Sequence, residues 1–417
     1  MNKIFCHSLT EVDLNYCISY RHFLKQNDVV ELRLDSLDFG EEDIKKYYLE
    51  TKGLTTIASY KYIPIEDDSL TDDDLSEATH LLSTAIMCGT TMVDVSIDYP
   101  PKERDWLIHL AMNYHCKLII SYHNDYGSQS VSELKTIVED ALALGADYVK
   151  IITTARHPAQ TKNVLSLYDL FPDKNLIAFA TGTSGSLSRI EAVEKGCPFY
   201  YVAPRQSRLS TDGQPTFFDI LDKDFKKNVG SASAAGNWNI GAIWVVMGIT
   251  VGESLIKDLP LDSDQASCAI LDVIDKAGGD VGYYVLGDSD DEMADFSAQR
   301  SVTFGFEFDL RSAPELIGPL ILLGLRSEGT TRLLHVDKNQ MMYVKAFQKV
   351  GANLKMEGED CILINGGFNF YLKGGKTSCY GNKLLAMSLS AARLISSSQI
   401  YIEGFRSVER DWPLFKC

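Results

Sequence analysis

A lysine inside an apolar segment is the residue of this sequence that most clearly suggests catalytic chemistry. Lys150 lies between Val149 and Ile151, in a short, β-branched run that is typical of a buried strand. Desolvation favours the neutral amine of a buried lysine, and this is its nucleophilic form. The alternative is a lysine at a strand end that pairs with a carboxylate. Lys150 is therefore a candidate nucleophile for Schiff-base formation with a carbonyl compound.

Other polar residues interrupt neighbouring apolar segments. His123 ends the segment before that of Lys150, where an imidazole could transfer protons near neutral pH, although a lone histidine is also compatible with a structural role. Glu31, Arg33 and Asp35 alternate along another segment, so a strand would direct all three to one face. Buried charges are costly unless they pair with one another or bind a polar group. Their spacing therefore favours a binding site.

Eight apolar segments alternate with longer amphipathic ones in the first half of the chain. They are residues 3–6, 29–35, 54–60, 92–97, 117–123, 148–152, 176–180 and 199–203. Residues 130–144, between the fifth and sixth, carry apolar side chains at helical spacing. Eight strands that alternate with helices over roughly 220 residues predict an α/β fold, a (β/α)8 TIM barrel with its active site at the carboxyl ends of the strands. A doubly wound open sheet is the alternative.

The length of 417 residues indicates more than one domain. The regular alternation of apolar and amphipathic segments ends after residue 225, and the small residues of 226–236 predict a flexible linker. We assign residues 1–225 to the barrel and residues 237–417 to a second, smaller α/β or α+β domain. Helical spacing over 264–276 and apolar runs at 361–364 and 399–402 support this assignment.

Composition excludes several classes of protein. A formal net charge of −17 disfavours nucleic-acid binding, which needs a basic face. The sequence has no apolar run long enough for a membrane span and no secretory signal at its start, so we expect a cytoplasmic protein. Its 9 cysteines are scattered and form no C-x-x-C pair. We therefore expect reduced thiols, with neither disulfides nor a zinc site.

Five motifs in the first half resemble, in order, those of type I 3-dehydroquinate dehydratases. They are residues 31–35 (ELRLD), 121–125 (SYHND), 145–151 (GADYVKI), 185–189 (GSLSR) and 210–214 (STDGQ). The resemblance implies that Lys150 forms a Schiff base with the ketone of 3-dehydroquinate. His123 would move the protons during loss of water to give 3-dehydroshikimate.

The resemblance also implies roles for the residues around the substrate. Arg189 would pair with the substrate carboxylate, and Ser210 and Gln214 would bind the carboxylate and hydroxyls and close over the ring. Glu31 and Arg33 would hold the hydroxyls on the far side. No metal or organic cofactor is implied, because the imine itself supplies the electrophile. A homodimer with a small-molecule substrate is expected.

The third strand departs from the family pattern. Where the family usually has an arginine at the end of this strand, the sequence reads Ala58-Ser59-Tyr60-Lys61, and the glutamate that normally follows to orient the histidine has no clear match. Glu66 is the nearest candidate. This departure concerns substrate affinity and the tuning of His123 more than the type of reaction.

Residues 237–417 resemble one half of 5-enolpyruvylshikimate-3-phosphate (EPSP) synthase. The segments 312–315 (SAPE), 328–332 (EGTTR), 384–387 (LLAM) and 412–415 (WPLF) occur in the family's order. The catalytic segments are changed: 337–341 reads DKNQM, 382–384 reads NKL, and Arg410 replaces a lysine. We expect this domain to be non-catalytic, with a structural or regulatory role.

Two other functions fit parts of the sequence. A class I aldolase or transaldolase would use the same kind of barrel lysine, but His123 before it and Arg189 after it favour dehydration of an anionic cyclic ketone. A non-enzymatic scaffold would fit the changed second half. The first half retains Lys150, His123 and Arg189 together, which argues against that interpretation.

Overall fold

The computed structural model describes residues 4–10, 13–62, 72–205, 214–220, 227–285 and 293–405. Tertiary contacts divide the chain into two compact units, Met1–Pro204 with Arg208–Phe217, and Arg205–Ser207 with Phe218–Cys417. No helix among the described residues has the length and apolar character that crossing a membrane requires.

Eight parallel strands form the sheet of the first unit. They are β1 (Phe5–Leu9), β2 (Val29–Arg33), β3 (Thr55–Ser59), β4 (Met92–Ser96), β5 (Lys117–Asn124), β6 (Tyr148–Thr154), β7 (Leu176–Thr181) and β8 (Tyr200–Val202). Neighbours follow chain order from β1 to β7, and β8 pairs with β1. This is the strand order of a (β/α)8 barrel, so the predicted fold class and all eight strands are confirmed. The strands at the two ends of this order, β7 and β8, are in aromatic contact. The ring centroids of Phe179 on β7 and Tyr201 on β8 lie 5.8 Å apart.

Helices follow the strands along the chain. They are α1 (Leu14–Ser19), α2 (Glu41–Glu50), α3 (Asp72–Met87), α4 (Pro101–Asn113), α5 (Val131–Ala143), α6 (Pro158–Leu165), α7 (Leu167–Leu170), α8 (Ser188–Lys195) and α9 (Phe217–Ile220). Helix α5 shows why they begin where they do. The Ser130 side chain accepts a hydrogen bond from the Glu133 amide, and Glu133 accepts one from the Ser130 amide, which is a capping box. Its buried side chains, Leu134, Val138 and Ala141, lie on one face, as predicted.

The second unit contains two four-stranded sheets and a two-stranded one. Its strands are β9 (Lys227–Ser233), β10 (Gly252–Pro260), β11 (Asp280–Val285), β12 (Met293–Gln299), β13 (Glu307–Asp309), β14 (Gly329–Leu334), β15 (Leu354–Glu357), β16 (Cys361–Gly366), β17 (Gly375–Ser378) and β18 (Ile400–Glu403). Its helices are α10 (Trp238–Val251), α11 (Ile270–Ala277), α12 (Ile317–Arg326), α13 (Met341–Lys349) and α14 (Lys383–Ala392).

The two larger sheets repeat one topology. Their strand orders are β11-β12-β10-β9 and β15-β16-β14-β13. In each sheet the two strands that come first in the chain, β9 and β10 or β13 and β14, pair in parallel, and the two later strands join antiparallel. Helices α10 and α12 occupy the same position in this repeat. Almost every side chain of both is buried, because they are apolar around their whole circumference and pack between other elements.

The flexible linker predicted for 226–236 differs from the structure, which places Lys227–Ser233 in β9. Ala232 and Ala234 are buried, whereas Ser231 and Ser233 are exposed. This alternation is that of a strand, and small side chains allow its close packing on the core of the second unit. The small residues of this segment therefore indicate tight packing of a strand and not a flexible linker.

Candidate active site

Lys150 lies inside the barrel between two carboxylates. Its Nζ atom donates hydrogen bonds to Asp94 Oδ2 at 2.7 Å and to Glu31 Oε1 at 2.9 Å. The three residues lie on β6, β4 and β2, and each is at most 4% exposed. The ammonium group also lies 5.3 Å from the ring centroid of Tyr201 on β8, within range of a cation–π interaction. The predicted site lysine is thus buried and contacts two carboxylates and one aromatic ring.

The charge state of Lys150 differs from the neutral amine that burial alone predicts. Burial does act against the ammonium form, but the negative charges of Asp94 and Glu31 outweigh it and raise the pKa of Lys150 above its ordinary value. The resting side chain is therefore an ammonium ion. Its proton must be transferred before Lys150 can attack a carbonyl carbon, and the two bonded carboxylates are the nearest acceptors.

Glu31 makes a further hydrogen bond besides that to Lys150. Its Oε2 atom accepts a hydrogen bond of 2.5 Å from Ser8 on β1. Burial opposes ionisation, but Lys150, Arg33 and the Ser8 bond together keep the pKa of Glu31 below its ordinary value. Arg33 itself makes a bidentate pair with Asp35, at 2.8 and 2.6 Å. The three alternating charges are thus paired with neighbours, as their burial requires.

His123 shares a narrow cavity with Lys150. Strands β5 and β6 are adjacent, and their register places Ser121 beside Lys150 and His123 beside Ile152. The cavity is about 20 Å³, which is room for roughly one water molecule. Its wall consists of Arg33, Ser59, Tyr60, Lys61, Tyr62, Asp94, Ser121, His123 and Lys150.

The imidazole of His123 is kept neutral by its surroundings. Burial, followed by the positive charges of Lys150, Lys61 and Arg33, holds the pKa of His123 well below its ordinary value. A neutral imidazole can accept a proton, so His123 is in the form required of a general base.

Arg189 lies at the start of α8, just beyond β7, and is 4% exposed. Its guanidinium group is stacked 4.7 Å from the ring centroid of Phe179. Burial lowers the pKa of Arg189 to about 10, while the charge of Glu31 acts in the opposite direction. Arg189 therefore remains a cation near neutral pH and interacts electrostatically with Glu31, which is bonded to Lys150. It is not one of the described wall residues of the cavity.

The remaining predicted residues fall in two parts of the chain that are described only in part. Ser210 and Glu66 lie outside the described residues, so their positions stay predictions. Gln214 is the first described residue after 205, and its side chain is buried. Thr216 forms a parallel bridge with Ala203, which follows β8.

Three contributors to the site were missed from the sequence. Asp94, Ser8 and Tyr201 contact Lys150 or Glu31 directly. The same signal that identified Lys150 was available for Asp94, a charged residue between Val93 and Val95 in an apolar strand. Ser8 and Tyr201 carry no such signal, because their side chains are uncharged and their burial in a strand does not call for a charged partner.

The described residues give no indication of a metal centre. No group of three or more His, Cys, Asp or Glu side chains within these ranges is arranged to hold a metal ion. Glu31 and Asp94, the carboxylates next to Lys150, are both bonded to that lysine.

Comparisons with known proteins agree with the two units. Residues 5–223 match the family model of type I 3-dehydroquinase, and residues 228–416 match that of EPSP synthase (3-phosphoshikimate 1-carboxyvinyltransferase).

Individual relatives match one unit each. A 3-dehydroquinate dehydratase of Dehalococcoides mccartyi is 33% identical over 147 residues, covering 35% of this chain and 65% of that protein. The enzyme of the same name from Pyrococcus abyssi is 34% identical over 195 residues, covering 46% of this chain and 85% of that protein. A 3-phosphoshikimate 1-carboxyvinyltransferase of Clostridium acetobutylicum is 31% identical over 187 residues, covering 43% of this chain and 41% of that protein.

The family model of the first unit spans more than half of the chain, and its range contains the lysine, the histidine and both carboxylates of the barrel. A match of this extent, together with the parallel eight-stranded sheet, identifies the family. The chain belongs to the type I 3-dehydroquinase family, with an EPSP synthase-like domain after the barrel.

Proposed function

We propose that the first unit converts 3-dehydroquinate to 3-dehydroshikimate and water through a Schiff base on Lys150. The observation that carries the proposal is the buried lysine held between Asp94 and Glu31, on the strand next to His123. The family match supports the same reaction.

The first half of the reaction forms the imine. Lys150 gives up a proton to a bonded carboxylate, and its amine attacks the substrate ketone. Loss of the carbonyl oxygen as water leaves an iminium cation at the former Nζ position. Asp94 and Glu31 contact that nitrogen at 2.7 and 2.9 Å, so the cation forms where two negative charges already lie.

The second half eliminates the hydroxyl group. The iminium group withdraws electrons and acidifies the neighbouring carbon, from which neutral His123 accepts a proton. The electron pair forms the new double bond as the hydroxyl departs, and His123 returns its proton to make water. Hydrolysis of the imine then releases the product and regenerates Lys150. We assign binding of the substrate carboxylate to Arg189 and Gln214 with Ser210, and binding of its hydroxyls to Glu31 and Arg33.

Borohydride trapping tests the Schiff base. Reduction in the presence of 3-dehydroquinate should leave a stable adduct on the Lys150 peptide, detected by mass mapping. Lys150→Met should abolish it, whereas Lys117→Met should retain it, because Lys117 is exposed at the start of β5. Folded protein that forms neither adduct nor 3-dehydroshikimate would contradict the proposal.

For the second unit we propose a structural or regulatory role without transferase activity. Residues that replace the catalytic segments of EPSP synthases are engaged in local structure. The Asp337 amide donates to Gln340 Oε1 at 2.9 Å, and the Gln340 amide donates to Asp337 Oδ1 at 2.8 Å. Asn382 caps α14 by accepting from the Leu385 amide at 2.9 Å. Formation of a carboxyvinyl product from 3-phosphoshikimate by the full chain would contradict this proposal.

The division into domains 1–225 and 237–417 and the cytoplasmic location stay proposals that rest on the sequence pattern, and the homodimer stays a proposal that rests on the resemblance. Light scattering of the full chain during gel filtration tests the homodimer, which should have twice the 46.4 kDa mass of one chain.

A further inference from the structure

Lys61 reaches across the mouth of the barrel from the end of β3 to the end of β5. Its Nζ atom lies 2.7 Å from Asp125 Oδ2. The Lys61 side chain is 18% exposed and that of Asp125 is 40% exposed. Asp125 follows His123 by two residues, so the pair lies close to the histidine along the same segment.

The backbone around Lys61 is anchored by aromatic contacts. Tyr62 stacks on Tyr99 with ring centroids 4.7 Å apart and an interplanar angle of 25°, and Tyr99 is 1% exposed. Tyr60, Lys61 and Tyr62 all line the cavity that contains His123 and Lys150. The side chain and the backbone of this lysine are therefore both fixed at the cavity wall.

Each cation beside His123 has its own carboxylate. The titratable groups of the wall and of its ion pairs are Glu31, Arg33, Asp35, Tyr60, Lys61, Tyr62, Asp94, Asp125 and Lys150. Lys150 is paired with two buried carboxylates and Arg33 with the largely buried Asp35. The carboxylate that pairs with Lys61 is the most exposed of the four, and solvent screens it most strongly. Its neutralising effect on the field at His123 is therefore the weakest.

We propose that Lys61 is a positioning residue for proton transfer, which acts on His123 through its charge and is held in place by Asp125. The positive charge disfavours the imidazolium form. His123 consequently stays neutral until it accepts the proton from the substrate carbon, and it readily gives that proton to the departing hydroxyl. The role of His123 rests on the proposed function, but the effect of the Lys61 charge on its imidazole does not require turnover.

Nuclear magnetic resonance of histidine-labelled full chain measures this effect without substrate. The His123 signal is assigned by its loss in His123→Asn. Lys61→Met should raise the pKa of His123 by about one unit, whereas Lys61→Arg should stay near the wild-type value because it keeps the charge. Lys45→Met is the matched control, since Lys45 is an ion-paired lysine of α2 that is not among the wall residues of the cavity.

Kinetics provide the second readout. In Lys61→Met the acidic limb of the kcat/KM profile should move to higher pH by the same amount, with KM changed less than twofold. An unshifted His123 signal in folded Lys61→Met, or an equal shift in Lys45→Met, would overturn the proposal. A tenfold rise in KM with an unshifted histidine would assign Lys61 to substrate binding instead. Absence of turnover in the wild type would reject the proposed function, while the histidine titration would still decide the role of Lys61.

Discussion

Lys150 Nζ lies closer to Asp94 Oδ2, at 2.7 Å, than to Glu31 Oε1, at 2.9 Å. The nearer partner comes from β4, two strands away from β6 in the sheet order, so the contact crosses the interior of the barrel. This relationship makes Asp94 the principal counter-ion of the lysine and of any iminium cation formed on it.

Asp94→Asn should therefore lower kcat by about 100-fold, because an amide keeps the shape but not the charge that stabilises the iminium cation. The pKa of Lys150 should fall, since removal of a nearby negative charge disfavours the ammonium form. Steady-state assays of 3-dehydroshikimate formation measure the first effect. Asp169→Asn, which alters an exposed ion pair with Lys195, is the control and should leave kcat unchanged. Equal rates in wild type and Asp94→Asn would contradict the assignment.

Ser8→Ala should destabilise the barrel by about 1–2 kcal/mol, because it leaves an oxygen of buried Glu31 without its hydroxyl donor. The lost bond is 2.5 Å long and both side chains are at most 2% exposed. Urea unfolding monitored by circular dichroism measures the loss. Ser132→Ala, in the exposed first turn of α5, should change stability by less than about 0.5 kcal/mol. A Ser8 variant as stable as that control would show that the bond contributes little.

His7 should make the stability of the barrel depend on pH. It is fully buried, lies 3.0 Å from the Tyr20 hydroxyl and 3.6 Å from Asp28, and burial lowers its pKa. Below about pH 6.5 the unfolded chain binds a proton at this residue and the folded chain does not, so stability falls by about 1.4 kcal/mol per pH unit. This loss continues until the pH reaches the lowered pKa of the folded state.

Urea unfolding of wild type and His7→Gln at pH 7, 6 and 5 tests this dependence. The variant should start less stable at pH 7, because it loses the contacts of the imidazole. As the pH is lowered, the free energy of unfolding of the variant should then fall less steeply than that of the wild type, because its unfolding takes up one proton fewer. Parallel declines in the two proteins would show that His7 is not the group responsible.

Gly248→Ala should destabilise the second unit by about 1–3 kcal/mol. A Cβ atom at this position of α10 would lie 2.7 Å from the backbone oxygen of Ala298, and the sheet backbone cannot yield as a side chain can. Gly241→Ala on the same helix is the matched variant. The three atoms nearest to its Cβ would all belong to the side chain of Leu259, which can change rotamer. Urea unfolding followed through Trp238 and Trp244, which lie on α10, should show the larger loss for Gly248→Ala.

The barrel strands were predictable because each is a short apolar run separated from the next by a helix with clear periodicity. The adjacency of His123 and Lys150 also followed, since consecutive strands of a barrel are neighbours. The charge of Lys150 did not follow. It depends on Asp94, whose distance from Lys150 is set by how far the sheet curls, and a strand pattern carries no information on curvature.

The conformation of the segment 226–236 is a second feature that could not be predicted from the sequence. Small residues such as Ala232 and Gly230 predict flexibility when they are considered alone. In the structure β9 pairs in parallel with β10, and Ala232 is buried beside Ile256 in that register. The partner strand follows a buried helix, so the segment's conformation depends on tertiary contacts that local composition does not reveal.

The pairing of β1 with β8 joins Phe5 to Tyr200, whereas in the repeated sheets of the second unit each strand pairs with one that is close in sequence, such as β15 with β16. Among the described strand pairings this one joins the residues farthest apart in sequence, so closure of the barrel carries the largest entropy cost of loop closure. During synthesis, β1 can pair with β8 only after nearly the whole first unit has left the ribosome. We expect the open edge of β1 to be the site at which chaperones or aggregation compete with folding of this protein.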